Sequence, residues 1–132
     1  VPRKAITFFI DRSLGSRLVP EALRALGASV ELHKDHFAAD APDADWIAEV
    51  GRRGWAILTK DKWIRHRPLE RRAVIATRGR LFALTTGNLS GEEIARVFAK
   101  HLQKMTDIAR SERTPFIARM SRYGIVVEHP RH

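Results

Sequence analysis

The sequence predicts an α/β fold around one mostly parallel sheet, and three observations carry that prediction. Short apolar, β-rich runs alternate along the chain with stretches whose apolar residues recur at helical spacing. Two runs, Ala5-Ile6-Thr7-Phe8-Phe9-Ile10 and Trp55-Ala56-Ile57-Leu58-Thr59, are largely apolar, as strands buried on both faces are. Each stops at an aspartate, Asp11 directly and Asp61 just after Lys60. In a parallel sheet with helical crossovers, all such strand ends share one edge. Residues fifty apart in sequence then meet in the crevice where α/β folds bind ligands.

The elements follow in order. Leu18, Val19, Ala22, Leu23 and Leu26 share a helical face within residues 16–26, with Pro20 in the first turns and Gly27 as the stop. Ser29 to His33 alternates as a strand nearer the sheet edge, and Lys34 to Pro42 reads as a polar loop. Asp43 and Asp45 precede an apolar face of Trp46, Ile47 and Val50, which is how a helix N-terminus reads, and Gly51 and Gly54 bracket its end. After the Trp55 strand, Pro68 opens a short helix through Ala76, and Leu81 to Thr85 is the next strand. Ser90-Gly91-Glu92-Glu93 is a capping box that opens a long helix with a core stripe from Ile94 to Ile108. Residues 116–120 are expected as a short helical piece, and Tyr123 to Val127 as the last strand. Without repeat or linker, residues 1–132 are expected to form a single domain.

Composition bounds the function class. With 44% hydrophobic residues the chain is expected to be globular, and no run approaches the roughly 18 apolar residues of a membrane span. A secretory pattern is lacking and there is no cysteine, so the cytoplasm is the expected compartment. The sequence begins at Val1, as from a removed initiator methionine or a start codon read as valine. The 24 Lys and Arg exceed the 15 Asp and Glu to give a net charge of +9, an electrostatic footprint for a polyanion. Two thirds of the excess lies between Lys60 and Arg80, where eight cations face only Asp61 and Glu70.

Asp11, Asp43 and Asp61 all fall at element ends that such a sheet brings together. Three neighbouring carboxylates repel unless a cation sits among them, and oxygen donors without cysteine suit a hard ion, Mg²⁺ or Mn²⁺. An ion of that kind joins carboxylates to phosphate and activates water, which is the chemistry of phosphodiester hydrolysis. Taken singly, each acid has a structural alternative: a turn cap at Asp11, an N-cap at Asp43, an arginine partner at Asp61.

The runs "FFIDRSLG", "LRALGASVELHKD" and "PDADWIAEVGRRGWAILTKD" resemble the PIN-like nucleases, in particular the VapC-type toxins with a PIN-like domain. The resemblance extends from Thr7 to about Leu89 and rests on order: an Asp after strand one, D-x-x-W at a helix start, T-K-D after a strand. It implies a three-layer α/β/α PIN-like fold and a metal-dependent ribonuclease, commonly the toxin of a toxin–antitoxin pair with a cognate antitoxin protein. Asp11, Asp43 and Asp61 fall on the acidic motif positions, with Asp45 competing for the middle one and Glu49 one turn deeper. Where such enzymes often supply a fourth acid, this chain has Thr85-Thr86-Gly87-Asn88, so Thr86 and Asn88 are the candidates to hold a metal-bound water.

For RNA the candidates are Arg12, Lys60, Lys62, Trp63, Arg65, Arg67, Arg71 and Arg72, an aromatic among cations as base stacking and phosphate binding require. Arg12 has two readings, a contact to the scissile phosphate or neutralisation of the acids beside it. The alternative for Trp63 is packing beneath a solvated helix. His33-x-x-His36 with Asp35 and Asp40 reads as a surface loop rather than a zinc site. Two rival functions are a receiver-type signalling domain phosphorylated on Asp61, with Thr85 or Thr86 after the next strand, and a nucleic-acid-binding module without catalysis. A homodimer is left open.

Overall fold

The computed structural model describes residues 5–131, and the Val1 start lies outside them. Ten principal elements alternate: β1 (Thr7–Ile10), α1 (Leu18–Ala25), β2 (Ser29–Leu32), α2 (Asp43–Arg53), β3 (Ala56–Thr59), α3 (Pro68–Ala76), β4 (Arg80–Leu84), α4 (Gly91–Ser111), β5 (Phe116–Ser121) and β6 (Gly124–Glu128). Single 3-10 turns follow β1 and β2, at Arg12–Leu14 and His33–Asp35. The sheet order is β2-β1-β3-β4-β5-β6. All neighbours are parallel except β6, which runs antiparallel to β5. The fold is therefore α/β, as expected, with the Ser29 strand at an edge.

Side-chain alternation along the strands makes two cores. Phe8 and Ile10 of β1 point to the face covered by α1 and α4, where Val19, Leu23, Phe98 and Met105 are buried. Phe9 points to the opposite face and packs with Trp46, Ile47 and Val50 of α2 and Val74 of α3. Three layers result, α1 and α4 on one side of the sheet and α2 and α3 on the other. The Ser90 hydroxyl accepts from the Glu93 amide while the Glu93 carboxylate accepts from the Ser90 amide, so the capping box forms and starts α4 where the sequence places it. Gly54 closes α2 in the left-handed conformation, at φ 75°. Gly51 sits where α2 meets α3: a Cβ built there would lie 2.7 Å from Thr77 Cβ, closer than atoms pack.

One element differs from the sequence expectation. Residues 116–120 are not helical but lie in β5, between β4 and β6. Phe116, Ala118 and Met120 join one core and Ile117 the other, which is the two-residue period of a strand buried on both faces. Without β5 the edge of β4 would be unpaired, and its ladder to Arg80–Leu84 satisfies that edge. Among the described residues, no helix is long and apolar enough to cross a membrane.

Candidate active site

The chain moves from β1 to β2 on one side, then crosses back through α2 to β3 on the other. The order of the strands thus reverses between β1 and β3, the point at which open α/β sheets leave a crevice. Register places Ile10 opposite Leu58, and the Asp11 amide continues the ladder by donating to the Leu58 carbonyl at 3.0 Å. Asp11 is consequently held beside Thr59. It is buried, at 4% exposure.

Hydroxyls fix it there. Thr59 Oγ1 donates to Asp11 Oδ2 at 2.7 Å, and Ser13 Oγ donates to the same oxygen at 2.9 Å. Thr59 Oγ1 also accepts from the Asp61 amide at 3.0 Å, so one threonine hydroxyl ties the ends of β1 and β3 together. The Asp61 carboxylate turns back onto its own loop, with Oδ1 accepting from the Trp63 amide at 3.1 Å. Asp61 Oδ2 accepts from Arg67 Nη1 at 2.6 Å, and the same nitrogen stands 3.9 Å from Asp43 Oδ2. Arg67 is a cation set between two carboxylates. Asp61 is the main reason its pKa lies above the usual guanidinium value, through the hydrogen bond first.

Asp43 opens α2 and is held from two further sides. Its Oδ1 accepts from Trp46 Nε1 at 2.9 Å and from Arg12 Nη2 at 2.7 Å. Arg12 Nη1 donates to the carbonyls of Ala39 and Ala41. The guanidinium is thus taken up in clamping the approach to α2 against the end of β1, which favours neutralisation over a phosphate contact. Behind it, His33 is buried against Phe9, Phe37 and Trp46, and its Nε2 has no hydrogen-bond partner among the described residues. Burial first, and the Arg12 cation next, lower its pKa below the ordinary 6.5, against a weaker pull from Asp11 and Asp43.

The remaining candidates fall into three places. Asp45 is exposed, two residues round the helix from Asp43. Lys60, Asp61, Lys62, Trp63, Thr86 and Asn88 line a cleft of about 290 Å³ beside the acids. Trp63 is 58% exposed and Lys62 Nζ lies 5.4 Å from its ring centre, so the aromatic offers a face to solvent rather than to the core. Arg71 and Arg72 line a different cavity of about 580 Å³ with His66 and Ile75, on the outer side of α3. The half-buried Arg65 reaches its own loop, at the Lys62 carbonyl. His36 pairs with Glu31, and Glu49 with Arg52 and Arg53.

The sequence does not anticipate three of these side-chain partners, Ser13 and Thr59 on Asp11 and Trp46 on Asp43, whereas Arg67 is the arginine partner that it allows at Asp61, here standing near Asp43 as well. The Trp46 bond had a signal, because residues three apart share a helix face. Among the described residues, no three His, Asp or Glu side chains lie grouped to hold a metal as they stand. Arg67 stands instead between Asp61 and Asp43, and Arg12 pairs with Asp43. The donor set is otherwise what a hard cation takes: carboxylate and hydroxyl oxygens, with a positive nitrogen already standing between two of the acids.

Residues 6–86 match the family model described as PIN like domain, a span containing Asp11, Asp43 and Asp61. Over 111 residues the chain is 35% identical to "Putative ribonuclease VapC45" of Mycobacterium tuberculosis, covering 81% of this chain and 78% of that protein. No solved structure matches. The family match and the antiparallel sixth strand set aside the receiver-type reading. The chain belongs to the PIN-like domain family, with a VapC-type protein among its relatives.

Proposed function

We propose that residues 1–132 form one PIN-like domain acting as a ribonuclease dependent on Mg²⁺ or Mn²⁺, the cytoplasmic toxin of a toxin–antitoxin pair. The observation that carries this reading is the linkage of Asp11, Asp61 and Asp43 through Thr59 and Arg67 at the switch point of the sheet. In a family member whose relative is named as a ribonuclease, that linkage supports a phosphodiesterase site.

Asp11, Asp43 and Asp61 would hold the metal, with Thr86 and Asn88 across the cleft in place of a fourth acid. When bound, a hard divalent ion supplies Lewis-acid polarisation of a phosphoryl oxygen and makes water more acidic. The chain's own residues do the rest. Ser13 and Thr59 both bond one oxygen of Asp11, which fixes the carboxylate's rotation. Trp46 and Arg12 hold Asp43 in the same way from two directions. Arg67, released from Asp61, becomes a phosphate ligand at the place where the substrate's charge arrives. Lys60, Lys62 and Trp63 hold the adjoining nucleotides along the cleft, while Arg65, Arg71 and Arg72 extend the positive field over the outer side of α3.

Asp11→Asn, Asp43→Asn and Asp61→Asn test the site one carboxylate at a time. Each should abolish RNA cleavage and leave the circular dichroism spectrum intact, since each removes ligand charge rather than core packing. An Asp61→Asn protein that cuts RNA at the wild-type rate would sink the assignment. For the toxin role, expression of the chain should slow bacterial growth and co-expression of its cognate antitoxin should restore it. The inhibitor is expected to lay an acidic or mixed-charge segment over the Asp61 edge. Normal growth with abundant soluble chain would refute the toxin role and leave the nuclease reading standing.

A further inference from the structure

The cleft beside Asp61 does not end at the acids. It continues past Leu89, which also lines a second cleft of about 270 Å³ between the start of α4 and the β5–β6 turn. That second cleft has Val97 on its floor, and Arg96, Lys100, Arg122 and Tyr123 around it. Arg96, Lys100 and Arg122 are exposed cations, and among the described residues that line the cleft Glu93 is the one carboxylate.

Glu93 does little to neutralise this group. Its carboxylate is engaged first by the Ser90 amide in the capping box, with Arg122 and Arg96 adding a smaller pull that also lowers its pKa. Among the described residues, neither Arg96 nor Arg122 makes an ion pair, in contrast to Arg12 and Arg67 at the acids. Lys100 Nζ donates to the Arg122 carbonyl at 3.0 Å, which pins the ammonium to the hairpin turn while leaving donors over. The turn is braced again by the Tyr123 amide donating to Ser121 Oγ at 3.2 Å. On that turn Tyr123 is 86% exposed, more than Trp63 at 58% beside the acids. An aromatic ring held out to solvent on a braced turn, with three cations beside it, combines a base-stacking face with phosphate ligands.

We propose that this cleft is a second RNA subsite, taking single-stranded RNA some nucleotides away from the bond to be cut. Arg96, Lys100 and Arg122 bind its phosphates and Tyr123 stacks one of its bases. The proposal rests on the reading of the Asp61 edge as the place where RNA is cut. The continuity of the two clefts through Leu89 and the excess of unpaired cations favour a polyanion. An acidic protein segment is the competing occupant.

The test compares the full chain with an Arg96→Glu, Arg122→Glu, Tyr123→Ala triple variant, by fluorescence anisotropy in EDTA so that nothing is cut. The probes are single-stranded RNAs of about 4 and about 16 nucleotides, the shorter unable to span both clefts. The triple variant should bind the longer RNA at least about tenfold more weakly at low salt, and the advantage of long over short RNA should collapse. Its slope of log affinity against log salt should fall by about 0.7 for each phosphate that the variant no longer neutralises. Tyr123→Ala alone should weaken the longer RNA by about fivefold or more, with the salt slope kept. An unaltered affinity and slope for the longer RNA in the triple variant would overturn the proposal. So would a triple variant that binds RNA normally but is no longer inhibited by the antitoxin, which would make the cleft a protein site. Failure of the wild-type chain to cleave either RNA with Mn²⁺ added would instead sink the nuclease reading, because the binding measurements do not depend on cleavage.

Discussion

Arg67→Gln should tighten divalent-metal binding and weaken RNA binding at the same time. Arg67 Nη1 lies 2.6 Å from Asp61 and 3.9 Å from Asp43, so a metal taking those carboxylates must first displace the guanidinium. The side chain is 44% exposed, which puts the pair in the class of solvent-screened ion pairs that contribute about 0.2 to 1 kcal/mol. Removing that competition returns about 1.5-fold to fivefold in metal affinity, since about 1.4 kcal/mol corresponds to a factor of ten. Glutamine keeps polar reach without charge. The cost appears on the substrate side, where neutralising one phosphate fewer lowers the salt slope of single-stranded RNA binding by about 0.7. Mn²⁺ titration of the RNA-free chain, by calorimetry or electron paramagnetic resonance, reads the first effect, and anisotropy against salt reads the second. A merely structural arginine would lower both affinities together with the melting temperature. A folded Arg67→Gln protein whose Mn²⁺ affinity is unchanged or weaker would refute the competition.

Four further outcomes can be checked. Trp46→Phe removes the indole donor from Asp43 and part of a wholly buried ring, and should cost about 2 kcal/mol or more in urea unfolding together with a weaker Mn²⁺ affinity. Gly51→Ala drives a methyl group toward Thr77 where α2 meets α3, so stability should fall by about 1 to 3 kcal/mol, and the same substitution should cost less in a Thr77→Gly background, which removes the Oγ1 and Cβ that the methyl group meets. Because burial and Arg12 hold the His33 pKa below 6.5, the unfolded chain takes up a proton that the folded chain refuses as pH falls through 6.5; stability drops on acidification, and His33→Phe should flatten that part of the melting profile, whereas superimposable profiles would refute it. Reversing Arg65, Arg67, Arg71 and Arg72 together should weaken RNA binding sharply at low salt and much less at high salt; an unchanged salt slope would place the bound phosphates elsewhere.

What can be read from the sequence is whatever depends on periodicity, and what cannot is whatever depends on a distant partner. Phe8, Phe9 and Ile10 alternate between two cores, and a run apolar at every position needs both faces covered. That requirement alone implies crossovers, a parallel sheet and a shared edge for Asp11 and Asp61. The placement of the two helix-start acids is periodic too: Asp43, Trp46, Ile47 and Val50 stand at i, i+3, i+4 and i+7, so Asp43 shares the face of α2 that packs on the sheet, while Asp45 falls off it. Phe116–Ser121 reads as helical because Arg119 interrupts its apolar run just after a long helix, and only the open edge of β4 decides that it is a strand.

The charge count shows the same limit from the other direction. A net +9 suggests an abundance of cations for RNA, and in the sequence all arginines look equivalent. The fold assigns them differently. Arg12 is taken up by Asp43 and two carbonyls, Arg67 by Asp61, and Arg80 by the carbonyls of Ala109 and Gly54. Cations with neighbouring acids neutralise those acids first and attract a polyanion only with what is left. The field available to RNA is therefore set by where the cations left without an acid lie rather than by the total. That shifts weight from the arginines nearest the acids toward Lys60 and Lys62 along the first cleft, and toward Arg96 and Arg122 along its continuation.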